Sequence, residues 1–154
     1  MRGTKQGKFK PKNPQKYKGN PTNIMYRSSW EEDFMEWCDL NKQVVWWQSE
    51  ERKIPYFDPV THKWRMYFPD FFICYKRSDG IEMLELVEIK PLKQTKEPKI
   101  NPRKKTKAWM EEVKTYVTNQ AKWKAASEWC EDRGSNFRLI TENQLKPNRR
   151  KWNK

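Results

Sequence analysis

Two hydrophobic periods alternate along this chain, and each change of period marks an element boundary. Over residues 28–42, SSWEEDFMEWCDLNK, the residues Trp30, Phe34, Trp37 and Cys38 recur at three- and four-residue spacing with acids between them, which predicts an amphipathic helix. Ser28 with Glu31 forms an S-x-x-E capping box, and Ser29 with Glu32 repeats the signal one residue later. A period of two then takes over. Residues 44–47 lead into a strand, residues 54–57 pair across the Asp58-Pro59 turn with a strand over 63–75, and the turn KRSDG at 76–80 returns the chain into a strand over 81–89. Helical spacing resumes from Asn101 or Pro102 to about Val117. It begins again at Asn119, a good N-cap, and runs to Asp132 or Arg133, where Gly134 suits the position just past a helix end. Residues 137–141 read as a last short strand. The expected order is helix, a meander of three antiparallel strands, two helices, strand.

Composition adds the size of the core. The chain has 154 residues, and its nine Trp, seven Phe and six Tyr can fill one compact domain although only 35% of positions are hydrophobic. No internal repeat is visible. Residues 1–22, rich in Lys, Pro and Gly, read as a flexible basic arm, residues 23–145 as the folded domain, and residues 146–154 as a second basic tail.

The net charge is +13, and its placement is more informative than its size. Residues 1–20 carry +7 and residues 146–154 carry +5, neither with any acid; residues 93–107 carry +6, so the rest of the chain stands at −5. A mildly acidic body with basic appendages suits a polyanion that the appendages hold, because neutralising phosphates releases counterions and gives sequence-independent affinity. The bland alternative is solubility or non-specific adhesion. Neither basic arm has the apolar stripe of a membrane-surface helix, and no apolar run matches a spanning helix or signal-peptide core, so a soluble, unexported protein is expected. Cys38, Cys74 and Cys130 are odd in number and far apart, and read as buried free thiols in a reducing compartment. With His62 the single histidine, placed in a turn, a Cys/His zinc site and histidine-based hydrolysis lose their ligands and bases.

The chemistry concentrates in residues 67–91. With the turn centred on Asp79, Phe72 lies opposite Leu86, Cys74 opposite Leu84, and Asp70 opposite Glu88. Lys90 shares the Glu88 face, while Val87 and Ile89 point the other way; both faces are otherwise apolar, as in a sheet covered by helices. Two facing carboxylates on a buried hairpin repel by roughly 3 to 4 kcal/mol at an effective dielectric of about 20. A divalent cation offsets that, and all-oxygen ligation favours Mg²⁺, with Mn²⁺ as substitute, over zinc. Phosphodiester hydrolysis uses these parts: a carboxylate-bound metal polarises phosphate and activates water, and an ammonium such as Lys90 positions that water or steadies the developing charge. A plain edge-strand ion pair between Glu88 and Lys90 is the structural alternative. The basic stretch after Lys90 emerges beside this point, and Lys93, Lys96, Arg103, Lys104, Lys105 and Lys107 are the candidates for phosphate contact. Trp109, Trp123 and Trp129 fit core packing better than base stacking.

Pro69-Asp70, followed eighteen residues after the aspartate by Glu88-Ile89-Lys90, resembles the signature of the PD-(D/E)xK nuclease superfamily. The resemblance implies an α/β fold of restriction-endonuclease type, a mixed central sheet flanked by helices. It also implies metal ligation by Asp70, Glu88 and the backbone carbonyl of Ile89, Lys90 at the attacking water, and a supporting acid on the preceding helix, either Glu31 or Glu32 with Glu31 favoured by its S-x-x-E match. No Gln-x-x-x-Tyr helix follows the lysine, unlike the exonuclease branch fused to helicases. Within the superfamily, the size, the S-x-x-E helix and the PDF…EIK pair are similar to phage endonucleases and transposon-end endonucleases, and the whole chain, with its lysine-rich start and its KWKAASEWCEDRG helix end, most resembles the head-completion nucleases of T-even-type tailed phages. That implies a structure- or end-directed DNA endonuclease in the cytoplasm of an infected host cell or with the virion, and phage head or portal proteins as partners. The competing readings are a non-catalytic basic DNA-binding or virion structural protein, and a Holliday-junction resolvase, which would require a dimer.

Overall fold

A computed structural model of the chain describes residues 6–100 and 102–145. Its frame is a four-stranded mixed sheet of β3 (Val44–Ser49), β6 (Phe71–Lys76), β7 (Glu82–Ile89) and β8 (Asn136–Ile140), in that spatial order. The first three strands run antiparallel to their neighbours, and β8 lies parallel to β7. The parallel pair requires a crossover, which α2 (Leu92–Thr95) and α3 (Lys107–Asp132) supply. Phe72 pairs with Leu86 and Cys74 with Leu84, the register that a turn centred on Asp79 dictates; Gly80 takes the positive φ of 87° that the turn needs.

Alternation along β6 and β7 sends side chains to two cores. Phe71, Ile73, Val87 and Ile89 meet Trp30, Phe34, Met35 and Cys38 of α1 (Ser29–Leu40) on one face. Phe72 and Leu86 meet Trp123, Ala126 and Cys130 of α3 on the other. That second face also receives a hairpin of its own, β4 (Ile54–Asp58) with β5 (Lys63–Tyr67), whose Ile54, Tyr56 and Tyr67 are buried against α3. Asp58 closes its turn by accepting from Val60 N–H at 2.9 Å and Thr61 O–H at 2.9 Å. The three cysteines are buried and free. Trp129 packs its edge against Phe72 with centroids 5.7 Å apart, and Trp123 is buried, so these indoles are core residues.

Three expectations are corrected. The strand expected over 63–75 is two strands, broken at Phe68, Pro69 and Asp70, because Pro69 has no N–H for a ladder and its ring is buried. The two expected helices are one: α3 starts at Lys107, where Thr106 Oγ1 accepts from Trp109 N–H at 3.0 Å, and runs through Asn119, which is buried mid-helix rather than capping. A good N-cap residue does not break a helix whose flanking turns both pack. Gly134 does follow the helix end, with φ of 64°.

The third correction concerns the flexible arm. Residues 6–22 are built into the fold: β1 (Gly7–Phe9) pairs antiparallel with β2 (Ile24–Tyr26), a 3₁₀ turn spans Pro14–Lys16, and Tyr17 is buried edge-on to Trp47 at 4.7 Å. A buried carboxylate ties this segment down. Asp39 of α1 accepts from Lys12 N–H at 2.7 Å and Asn13 N–H at 2.9 Å, while its backbone carbonyl accepts from the Asn13 amide at 2.9 Å and the Lys16 ammonium at 3.1 Å. Composition conceals this because two aromatics and one distant aspartate do the fastening. Residues 1–5 and the second basic tail, residues 146–154, lie outside the described residues.

Asp39→Ala strands two backbone donors beneath α1, so we expect a stability loss of about 3 kcal/mol in urea unfolding. Faster amide exchange across residues 7–17 should accompany it, read by hydrogen–deuterium exchange.

Candidate active site

The break between β5 and β6 positions the first acid. Leaving β5, the chain passes through buried Pro69 and brings Asp70 against the C-terminal end of β7. There the backbones and carboxylates interlock: Asp70 N–H donates to Glu88 Oε1 at 3.3 Å, and Ile89 N–H donates to Asp70 Oδ2 at 2.8 Å. Tyr67 O–H donates to the same Glu88 oxygen at 2.7 Å, and the Lys90 ammonium stands 3.5 Å from Glu88 Oε2. Lys90 is held at its backbone, where its N–H donates to the Ile140 carbonyl at 2.9 Å. Glu50 N–H donates to the Asp70 carbonyl at 3.0 Å, and its carboxylate takes Arg27 at 2.7 Å. Glu50 reaches this position with φ of 53°, a left-handed conformation that costs a non-glycine residue on the order of 1 kcal/mol.

The helical acid arrives through its cap. Ser28 adopts extended backbone and its Oγ accepts from Glu31 N–H at 3.1 Å, as the S-x-x-E pattern predicts. The Glu31 carboxylate accepts from Arg27 N–H at 3.2 Å, one residue short of the reciprocal capping-box bond. It lines a cavity of about 230 Å³ together with Asp70, Ile89 and Lys90. Asp70 and Lys90 also line a larger cleft of about 650 Å³, with Glu88, Tyr67, Arg27 and Lys122.

Burial sets the electrostatics. It pushes the Asp70 carboxyl well above the ordinary carboxylate range, with the charges of Glu88 and Glu31 adding to the rise and the Ile89 N–H and Lys90 opposing it. Glu88 is raised by burial against the pull of Lys90, Tyr67 and the Asp70 N–H; Glu31 is raised by burial against the Arg27 N–H. Burial, then the Glu88 charge, holds the Tyr67 phenol far from ionising. Lys122 on α3, whose ammonium lies 5.7 Å from the centre of the Tyr67 ring, is lowered by burial and then by the neighbouring charge of Lys90.

This donor set fits a hard divalent cation. Among the described residues no three acidic, histidine or cysteine side chains close into a metal cage. Mg²⁺ is ordinarily held by one or two carboxylates with waters completing its shell, and Asp70 and Glu88 supply two mutually repelling carboxylates at a cleft wall.

A family of known nucleases shares this stretch of chain: the TnsA-like endonuclease N-terminal domain matches residues 41–142. The chain belongs to the TnsA-like endonuclease family. In this TnsA-like domain the match takes in the mixed sheet with Asp70, Glu88 and Lys90, a restriction-endonuclease-like fold, and begins just after α1 with Glu31. The chain is also similar to the head completion nuclease of Enterobacteria phage T4, 44% identical over 144 residues, which covers 91% of this chain and 93% of that protein. No solved structure matches the chain.

The structure brings Glu31, Asp70, Glu88, Ile89 and Lys90 together, and Glu31 rather than Glu32 lines the cavity beside Asp70. Lys93 and Lys96 line a neighbouring cavity. Arg103, Lys104, Lys105 and Lys107 are exposed around the start of α3 and line none of these three hollows. Sequence reasoning missed Tyr67, Glu50, Arg27 and Lys122. Tyr67 carries a signal in retrospect, as it stands three residues before Asp70 on an inward position of β5; Lys122 carries none, since its place depends on how α3 packs against the distant β4–β5 hairpin.

In EDTA, stability should fall as pH rises from about 4 towards neutrality, because the folded protein retains protons on the raised Asp70, Glu88 and Glu31 that the unfolded chain has released. Asp70→Asn should flatten this dependence and raise the thermal midpoint at pH about 8. Tyr67→Phe should lower stability by about 1 to 2 kcal/mol, measured by urea unfolding.

Proposed function

We propose that this TnsA-like protein is a divalent-metal-dependent DNA endonuclease of the PD-(D/E)xK type, end- or structure-directed, acting in the completion of phage heads. The observation that carries the reading is the convergence of Asp70, Glu88 and Lys90 on one cleft wall, with Glu31 across the adjoining cavity. The name of the phage T4 relative supports the setting, an infected cell in which DNA is packaged, with head or portal proteins as partners.

Asp70, Glu88 and the Ile89 carbonyl would hold Mg²⁺, or Mn²⁺ in its place. The bound ion supplies charge for the scissile phosphate and a water of lowered pKa. Tyr67 and the Asp70 N–H fix Glu88 Oε1, leaving Oε2 towards Lys90. Lys90, its backbone pinned to β8, would present a compact positive charge to the attacking water and to the negative charge that develops on the phosphate. Glu31 supports the waters on the helix side of Asp70.

The test is cleavage of supercoiled and linear DNA by purified protein in EDTA, Mg²⁺ or Mn²⁺. Cutting should need a metal, and Asp70→Ala and Lys90→Ala should each lower it about a hundredfold or more while DNA binding persists. Binding without cutting by the unaltered protein under either metal would instead assign the chain to non-catalytic DNA binding.

A further inference from the structure

Next to the carboxylates lies a third hollow that hydrolysis itself does not use. It measures about 600 Å³ and is lined by Trp30, Pro91, Lys93, Lys96, Glu112 and Tyr116, among others. Trp30, Pro91 and Gln94 line both this hollow and the 230 Å³ cavity of Glu31, Asp70 and Lys90, so the two adjoin. We propose that it receives one unpaired nucleotide flanking the scissile phosphate, which makes the substrate of this site DNA with a single-stranded segment at an end or branch. This rests on the nuclease reading above.

Size, lining and position argue for that occupant. A hollow of this volume takes a ligand of nucleotide size and excludes a duplex. The half-buried Tyr116 ring and two prolines, Pro91 and Pro98, offer apolar surface to a base face, whereas Trp30, 7% exposed, belongs to the α1 core and only floors the hollow. In a duplex each base face is covered by its stacked neighbours and only the edges are open in the grooves, so a paired base has nothing to offer this slot. Lys93 and Lys96 supply charge for the flanking phosphates. The acids fit the base rather than the phosphate. Glu112, exposed on α3, can accept from an exocyclic amine, and Glu142 is engaged in holding α2, where it accepts from Leu92 N–H at 2.8 Å. Beside the lining residue Pro98, the Lys99 carbonyl is fixed by the Trp109 indole, which donates to it at 2.8 Å. A strand whose phosphate lies at Asp70 and Lys90 therefore continues past Pro91 directly into this lining.

The experiment uses full-length protein in EDTA and two probes: a blunt duplex, and the same duplex carrying a short single-stranded extension with 2-aminopurine. The extended probe should bind about tenfold more tightly, with 2-aminopurine fluorescence quenched on binding. Tyr116→Ala should bring the two affinities together, and Tyr116→Phe, which keeps the ring, should preserve the difference. Equal binding of both probes by the unaltered protein, or a preference that survives Tyr116→Ala, overturns the proposal. Adding Mg²⁺ or Mn²⁺ separates it from the nuclease reading: cutting without discrimination removes the nucleotide pocket alone, and discrimination without cutting removes the nuclease alone.

Discussion

Asp70 and Glu88 are each held by the other's stretch of backbone. One amide of the β5–β6 break grips a carboxylate of β7, and one amide of β7 grips the carboxylate of the break. This reciprocal bond does what neither strand could do alone: it keeps two acids side by side at the sheet end against a repulsion of several kcal/mol. Most of the surrounding structure serves that arrangement. The buried Pro69 ends one strand so that the aspartate can turn inward, Tyr67 and Lys90 occupy the two oxygens of Glu88, and Glu50 accepts a strained backbone to hold the Asp70 carbonyl.

The central hairpin and the capped helix were legible because each rests on local rules. A turn centred on Asp79 fixes the pairing of Phe72 with Leu86, and a one-residue slip of a strand would have exchanged the side chains that face the two cores. Ser28 capping through Glu31 is likewise a matter of four adjacent residues. What stayed hidden depends on distant partners. The basic N-terminal segment is ordered by Asp39, more than twenty residues away, and α3 runs unbroken through a buried Asn119 into a C-terminal half that packs on the sheet and the β4–β5 hairpin. Lys122 was hidden for the same reason: it reaches the cleft through the packing of α3 on the β4–β5 hairpin, where its ammonium lies over the Tyr67 ring.

Division of the core into two faces also divides the labour at the cleft. α1 brings an acid from one side of the sheet, and α3 brings a cation from the other, with the carboxylate pair at the strand end between them. Basic residues follow the same geometry: Lys93 and Lys96 lie just beyond the strand that carries Glu88, while the exposed cluster at Arg103 to Lys107 sits further along the crossover.

The parallel pairing of β7 with β8 has a consequence for how the molecule assembles. The β6–β7 hairpin closes across a short turn, whereas β8 can dock only after the whole crossover through α3 has been placed, and loop-closure entropy grows with that length. The backbone of Lys90 is anchored to Ile140 of this last strand. The β6–β7 hairpin thus brings both acids together through local pairing, whereas the lysine backbone is fixed only through the β7–β8 pairing, the most sequence-distant in the central sheet.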